Sequence, residues 1–187
     1  MHTSPAVTDA FLEERRRRGQ DKKDELWDGV LHRVPPPASR HGSVTSALHH
    51  ALYAIAARRE WRAFCDGTGV FAPRADGADY RIPDVSIVRP EQVSVRGVEG
   101  AVLVVEVLSP RDESRAKLPF YAARQIPEVW LLDPMTYALE LLALEGETYA
   151  PVPATVDGWT SPQLGITLVR PPGTGLVLVD GDTRCEL

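Results

Sequence analysis

The stretch VLVVEVLSP, residues 102–110, contains a single acid, Glu106, in an otherwise aliphatic run. Every other residue from Val102 to Leu108 is valine or leucine, and such a run is typical of a strand covered on both faces. An ionised carboxylate in so dry an environment costs several kcal/mol unless a cation, a metal ion or a set of donors meets it. The sequence therefore predicts a buried partner for Glu106.

The size and composition of the chain predict a single domain over residues 1–187, because 43% of its 187 residues are apolar and can form one sizeable core. The two cysteines, Cys65 and Cys185, lack metal-ligand or redox spacing, which favours a reducing cytoplasm. The N-terminal segment lacks the apolar run of a signal peptide, and no window approaches the roughly 18 apolar residues of a membrane span. We therefore expect a soluble protein.

The charge of the chain limits how it can contact nucleic acid. A formal net charge of -5 argues against non-specific coating of phosphate backbones, because that binding relies on many Lys and Arg contacts. A nucleic-acid site must then be a local patch. The candidate residues for phosphate contact are Arg111, Arg115, Arg124 and the run from Arg15 to Arg18.

The pattern of apolar and turn residues predicts an α/β or α+β domain, with a mixed sheet flanked by helices. Asp28 and Gly29 predict a hairpin that pairs residues 25–27 with residues 30–34. A long helix is expected from Ser43, its expected N-cap, because apolar residues then recur at steps of three and four. The other predicted elements are a helix at 9–18, strands at 69–73, 81–88 and 102–110, a helix at 112–125 with Pro119 in or near its first turn, a strand at 129–133, a hairpin turning at 145–147, and strands at 165–169 and 175–179.

A second acid, Asp84, lies in the apolar strand before that of Glu106. If the two strands pair, the carboxylates stand side by side, and their repulsion raises one pKa unless a divalent cation lies between them. Carboxylate ligands of this kind suit Mg²⁺ or Mn²⁺. The alternative is that each acid forms a buried ion pair with an arginine such as Arg81 or Arg74.

Lys117 is the third element of the predicted site. It stands at the start of the helix that follows the Glu106 strand, where its ammonium meets the positive end of the helix dipole, so another interaction is expected to hold it there. Beside a metal ion it can orient the attacking water or neutralise charge that develops on a phosphoryl group. The alternative is a surface lysine that reaches solvent.

The ordered segments ELWDG, PPPASRH, YRIPD, VVEVLSP, KLPFY and PEVWLLDP resemble those of a large bacterial family of restriction endonuclease domains within the PD-(D/E)XK nuclease superfamily. The likeness runs from about Glu25 to Pro134. It implies a restriction-endonuclease-like core, a mixed sheet flanked by helices, and metal-dependent hydrolysis of nucleic-acid phosphodiesters. Asp84 matches the acid of the PD motif, and Glu106 matches the second acid.

The resemblance also assigns the remaining site residues. The lysine usual in the superfamily would fall at Leu108, which cannot serve, and Lys117 on the following helix matches the lysine of this family, with Tyr121 one turn later. Glu25 matches the acid of the early hairpin, and His41 matches the histidine before the long helix, whereas His49 and His50 are interpreted as ordinary polar helix positions. The segment before the lysine is shorter than in relatives, and Glu113 stands where they have an aspartate.

These observations predict a Mg²⁺- or Mn²⁺-dependent endonuclease that acts on DNA. Asp84 and Glu106 would hold one ion with the carbonyl of Val107, Glu25 would bind through water or a second ion, and Lys117 would position the attacking water. A homodimer is expected, since it would supply contacts to both DNA strands by symmetry. The alternatives are a catalytically inactive binding or assembly module with the same fold, and a phosphodiesterase that acts on RNA or a small substrate.

Overall fold

A computed structural model describes residues 2–4, 8–19, 21, 23–33, 38–65, 67–71, 79–110, 113–173 and 175–187. The end of the predicted hairpin at Val34, the ion-pair candidate Arg74 and the phosphate-contact candidate Arg111 lie outside these ranges. Within them, no helix is long and apolar enough to cross a membrane.

The described residues form a mixed α+β structure with three α-helices and several mixed sheets, which confirms the predicted fold class. The helices are α1 Asp9–Arg17, α2 Ser39–Ala57 and α3 Leu118–Ala123, with 3-10 helices at Pro90–Gln92 and Ser114–Lys117. The strands are β1 His2–Ser4, β2 Asp24–Trp27, β3 Val30–Arg33, β4 Arg62–Cys65, β5 Val70–Phe71, β6 Tyr80–Arg81, β7 Val85–Val88, β8 Val93–Ser94, β9 Gly97–Val98, β10 Leu103–Val107, β11 Glu128–Leu132, β12 Leu139–Glu145, β13 Thr148–Pro151, β14 Trp159–Thr160, β15 Thr167–Val169, β16 Val177–Asp180 and β17 Thr183–Glu186.

A six-stranded sheet in the order β13-β12-β11-β10-β7-β4 forms the centre of the fold. Its strands β10 and β11 are parallel, and its other neighbours are antiparallel. A seven-stranded sheet, β1-β3-β2-β6-β5-β9-β8, contains the predicted hairpin, and a four-stranded sheet, β14-β15-β16-β17, completes the C-terminal part. The central strands β7, β10 and β11 are buried along their whole length, as the aliphatic runs predicted.

Helices cover both faces of the central sheet. One apolar cluster joins α2, through residues such as Leu48 and Leu52, to one face of the sheet and to the C-terminal sheet. The other cluster joins Phe120 and Tyr121 of α3 to residues such as Val104 on the opposite face. Because successive strand residues point to opposite faces, Glu106 shares the α3 face with Val104.

Local sequence explains most of the element boundaries. The two-residue turn of the β2–β3 hairpin has positive φ angles of 49° at Asp28 and 80° at Gly29, the conformation that Asp-Gly was expected to supply. Pro119 lies in the first turn of α3, where its missing N–H leaves no hydrogen bond unmade. The predicted helix over 112–125 is instead a 3-10 turn followed by this short α-helix.

The start of α2 was predicted wrongly. The helix begins at Ser39, one turn before Ser43, and its N-cap Ala38 makes no side-chain cap hydrogen bond. Tertiary contacts support the extra turn, because Arg40 donates to the carbonyl oxygen of Pro134 at 3.1 Å and to the hydroxyl of Tyr137 at 2.9 Å. Periodicity could not reveal these contacts, since their partners lie more than 90 positions away in the chain.

A buried carboxylate attaches the C-terminal segment to the central sheet. Glu128 at the start of β11 is fully buried and accepts hydrogen bonds from Trp130 Nε1 at 2.5 Å, Ser161 Oγ at 3.0 Å and the backbone N–H of Gln163 at 2.8 Å. Burial raises the pKa of Glu128, and the hydrogen bonds from Ser161, Trp130 and Gln163 only partly oppose that shift. Neutral donors therefore satisfy this acid.

The raised pKa of Glu128 predicts how the free energy of unfolding depends on pH. Protonation is favoured more in the folded than in the unfolded chain, so this residue stabilises the fold most below its ordinary pKa of 4.5 and loses that contribution as the pH rises through the raised value. Glu128→Gln should lack this decline and should be about 1–3 kcal/mol less stable in acid, because an amide offers only one acceptor oxygen to three donors. Urea denaturation at several pH values measures both effects, and an unchanged pH slope in the variant would refute the assignment.

Candidate active site

The two acids predicted to form the site lie at one end of the central sheet, on neighbouring strands. β10 and β7 are antiparallel, with Val105 opposite Val85, so Glu106 in β10 and Asp84 just before β7 come next in the same register. The carboxylate of Asp84 accepts a hydrogen bond of 2.7 Å from the backbone N–H of Val107, which follows Glu106. The structure thus brings Asp84 and Glu106 together as predicted.

Glu106 has the buried partners that its sequence setting requires. Its side chain is only 3% exposed, and its two oxygens lie 3.2 and 3.1 Å from Nζ of Lys117. The hydroxyl of Tyr121 donates to Oε1 of Glu106 at 2.5 Å. The partner is therefore an ammonium and a phenol, and not an arginine.

Lys117 is buried, so the alternative of a surface lysine is wrong. Besides Glu106, its ammonium contacts Oε1 of Glu25 at 2.8 Å and the carbonyl oxygen of Ile82 at 3.5 Å. These contacts are the interactions expected to hold a lysine near a helix start. Lys117 ends the 3-10 helix and Tyr121 follows four residues later in α3, so both side chains reach the same carboxylate.

Glu25, on β2, anchors Lys117 from the opposite side. It is fully buried and accepts hydrogen bonds of 2.8 Å from the indole Nε1 of Trp27 and from the backbone N–H of Ile82. The structure thus brings the acid of the hairpin into contact with Lys117. Its contact with an ion through water stays a prediction.

His41 approaches Asp84 from the first turn of α2. Its Nε2 lies 3.4 Å from Oδ2 of Asp84, and its Nδ1 lies 3.5 Å from the hydroxyl of Thr45. Hydrogen bonding to Asp84 raises the pKa of His41, although burial opposes the shift. The early start of α2 is what brings His41 to the site. His50, by contrast, is exposed, and His49 lies beside the ring of Tyr53, which fits their interpretation as ordinary helix positions.

The electrostatics of the site show an excess of negative charge. Burial raises the pKa of Glu106, the charges of Asp84 and Glu25 raise it further, and Lys117 opposes the shift. Burial lowers the pKa of Lys117, but Glu106 and Glu25 outweigh it, and the pKa is raised overall. Burial also raises the pKa of Tyr121, which stays a hydrogen-bond donor to Glu106. Three carboxylates therefore face one ammonium group.

This charge balance is compatible with a bound divalent cation. Among the described residues, Oδ1 of Asp84 accepts no hydrogen bond, and the side chain is 18% exposed, so an ion can reach it. Across the same residues, no three His, Cys, Asp or Glu side chains are grouped as a metal site. The chain thus offers two carboxylates, and further ligands would come from water and substrate, as Mg²⁺ commonly allows.

Two of the basic residues considered for phosphate contact are engaged with acids of the chain. Arg115 pairs with Glu140, and Arg124 pairs with Asp79 at 3.1 Å. Arg124 is also largely buried, so its prediction as an exposed phosphate contact was wrong.

Three arginines of the N-terminal run also form ion pairs with acids of the chain. Arg15 lies 2.5 Å from Asp24, and Arg17 and Arg18 each lie 2.5 Å from Glu14. Within the described ranges, the ion pairs of these three arginines are with Asp24 and Glu14.

Sequence reasoning missed the residues that support Glu25 and Lys117, above all Trp27, His32 and Arg81. Trp27 stands two positions after Glu25 on the same strand, so strand alternation places the two side chains on one face. That periodicity was the available signal. The contact between His32 and Glu113 joins residues 81 positions apart and had no such signal.

Comparisons with known proteins show the family and the fold of the chain. The family model "Uma2: Putative restriction endonuclease" matches residues 9–170, which confirms the resemblance drawn from the sequence motifs. Among solved structures, the chain is similar to one described as a putative nuclease belonging to DUF820 from Anabaena variabilis ATCC 29413, with 16% identity and a TM-score of 0.59. That match covers 81% of this chain and 83% of the other, and at this identity it shows the fold alone. No curated protein matches the sequence.

The buried cluster makes a prediction about Lys117. Lys117→Met leaves Glu25 and Glu106 without their shared cation, and we expect it to lower the free energy of unfolding by about 3–5 kcal/mol near neutral pH. The loss should be larger near about pH 9, because the pKa of Glu106 is raised to about 8 and the carboxylate that forms above that pH has lost its cation in the variant. Urea denaturation at both pH values measures the difference.

Arg115→Met provides the control for this measurement. It removes an exposed ion pair with Glu140 and should change the free energy of unfolding by about 0–1 kcal/mol at either pH. An equal loss for Lys117→Met at neutral pH and near about pH 9 would contradict the explanation by buried charge.

Proposed function

Because the chain belongs to the Uma2 family, described as putative restriction endonuclease, we propose that it is a metal-dependent endonuclease that hydrolyses DNA phosphodiester bonds. The observation that carries the proposal is the cluster of Asp84, Glu106 and Lys117 at one end of the central sheet. It combines two carboxylates from neighbouring strands with an ammonium 3.1 Å from one of them. This combination supplies both a place for a divalent cation and a positive group for a phosphate.

Asp84 and Glu106 would hold the ion, with the backbone carbonyl of Val107 as a further ligand. Mg²⁺ or Mn²⁺ bound there supplies Lewis-acid polarisation of the phosphoryl oxygen. The side chain of Asp84 is 18% exposed and Glu106 is 3% exposed, so the substrate would approach from the side of Asp84.

The remaining residues orient these groups. Lys117 would direct the attacking water and offset charge on the phosphoryl oxygens, since its raised pKa keeps the ammonium protonated. Tyr121 fixes one oxygen of Glu106, and Glu25 holds Lys117 from the other side. His41 fixes one oxygen of Asp84 and leaves the other open.

A second candidate function is a non-catalytic binding or assembly module with the same fold. The observation that favours it is that both oxygens of Glu106 already have partners within the chain, Lys117 and Tyr121. A metal ion would have to share these oxygens with the ammonium. The same acids would also support hydrolysis of RNA or a small phosphodiester.

Metal binding and cleavage separate these candidates. We expect Mg²⁺ or Mn²⁺ to raise the melting temperature of the wild type, because an ion that binds the native state stabilises it, and to have no such effect on Asp84→Asn or Glu106→Gln. Differential scanning fluorimetry with increasing metal concentration measures this. Glu128→Gln is the matched control, since it alters a buried acid outside the site and should retain the full metal response.

Cleavage is then measured on plasmid DNA, single- and double-stranded DNA oligonucleotides, RNA and a small phosphodiester, with and without metal. We expect metal-dependent cutting of DNA that Glu106→Gln and Lys117→Met abolish. Cutting that survives both substitutions would refute the assigned site. A metal response without cleavage of any substrate would favour the binding module.

The proposed substrate also predicts a homodimer, because two copies related by a two-fold axis can present one site to each strand of a duplex. Sedimentation equilibrium with and without duplex DNA measures the assembly. A protein that remains monomeric at high concentration in both conditions would contradict this prediction.

A further inference from the structure

The carboxylate of Glu25 is held by an aromatic residue of its own strand. Trp27 Nε1 donates to Oε2 of Glu25 at 2.8 Å, while Oε1 receives the ammonium of Lys117 at 2.8 Å. The indole and the ammonium therefore bind opposite oxygens of one buried carboxylate. A shift of the indole would move Glu25 and, through it, Lys117.

Trp27 is fixed in turn by a stack of rings and guanidinium groups. His32 stacks on it with ring centroids 4.0 Å apart and an interplanar angle of 9°, and Cζ of Arg81 lies 4.3 Å from its ring centroid. Arg81 also lies 4.2 Å from the centroid of Phe120, and Arg124 lies 3.2 Å from that same ring. The stack thus joins the β2–β3 hairpin to α3.

Charge and hydrogen bonds keep the guanidinium groups of the stack in place. Asp79 pairs with Arg81 at 2.6 Å and with Arg124 at 3.1 Å, and Arg81 also donates to the carbonyl oxygen of Leu26 at 2.7 Å. Among the described residues, the buried Nε atoms of both arginines have no hydrogen-bond partner. Aromatic rings thus cover planar faces of the two guanidinium groups, which is a favourable cation–π contact.

The far end of the stack returns to the segment that carries Lys117. Nδ1 of His32 lies 3.1 Å from Oε2 of Glu113, which directly precedes the 3-10 helix ending at Lys117. The hairpin therefore supports Lys117 twice, once through Trp27 and Glu25 and once through His32 and Glu113.

We propose that Trp27 is a positioning residue for the reaction, acting through Glu25 on the ammonium of Lys117. The inference rests on the proposed function and goes beyond it, because it assigns a role to a residue that touches neither substrate nor ion. Phenylalanine can keep the stacking but cannot donate the hydrogen bond, so Trp27→Phe isolates the indole N–H. Loss of such an outer contact typically lowers metal affinity or activity by about 10- to 100-fold.

The first test uses the indole N–H resonances of the ¹⁵N-labelled protein and needs no activity. Glu25→Gln and Lys117→Met should both shift the Trp27 resonance, because each changes the carboxylate that the indole binds. The Trp130 resonance is the internal control, since Trp130 donates to Glu128 in the same way, two positions along a strand. It should shift in Glu128→Gln and stay unchanged in the two site variants.

The Trp27 resonance is identified as the one missing from Trp27→Phe or, if that variant does not fold, by elimination with single phenylalanine variants of Trp61, Trp130 and Trp159. A Trp27 resonance that is unmoved by Lys117→Met would overturn the proposal. So would equal shifts of the Trp27 and Trp130 resonances.

The second test is kinetic. Trp27→Phe should lower kcat about 10-fold or more and leave KM unchanged, well below the melting temperature. Trp130→Phe removes the equivalent bond to Glu128 and should lower the melting temperature without changing kcat. A wild-type kcat for Trp27→Phe, or an equal loss in both variants, would overturn the role of Trp27. A wild type without cleavage would instead refute the proposed function, and the resonance shifts would then decide whether Trp27 is coupled to Lys117.

Discussion

The buried ion pair of Glu106 and Lys117 is the interaction on which the rest of the structure depends. A carboxylate buried on a strand of the central sheet is compatible with folding only if its charge is met, and here an ammonium and a phenol meet it. Lys117 is itself buried and needs a second carboxylate, which Glu25 provides. The buried glutamate at position 106 thus requires contacts from the 3-10 helix, from α3 and, through Lys117, from the hairpin.

The two acids buried in the central sheet differ in their partners, and this difference supports Glu106, and not Glu128, as a residue of the proposed site. Glu128 is satisfied by neutral donors from Trp130, Ser161 and Gln163, and it attaches the C-terminal segment to the sheet. Glu106 is surrounded by charged groups, and two further acids raise its pKa. An excess of buried negative charge has no structural benefit, whereas it suits a site that receives a cation. Burial of an acid alone would not have distinguished these cases.

Several elements of the fold contact the residues of the proposed site. α2 reaches Asp84 through His41, and the 3-10 turn and α3 reach Glu106 through Lys117 and Tyr121. The hairpin reaches Lys117 through Glu25, and the stack of Trp27, Arg81 and Phe120 holds that hairpin against α3. Each side chain of the proposed site is therefore held by a second element, which is the condition for a pre-organised site.

The sequence by itself determined the strands β10 to β13, the hairpin at Asp28 and Gly29, and the need for a partner at Glu106, because these depend on residues close in the chain. The single strand predicted over residues 81–88 was wrong, since β6 and β7 belong to different sheets. The aliphatic runs placed Asp84 beside Glu106 only on the condition that their strands pair, and the structure supplies that pairing. Only the tertiary structure decided that α2 starts at Ser39, that Arg124 is buried against Asp79, and that Trp27 and His32 support the lysine. These features join residues up to about a hundred positions apart, and no local sequence pattern indicates which distant side chain will contact a given residue.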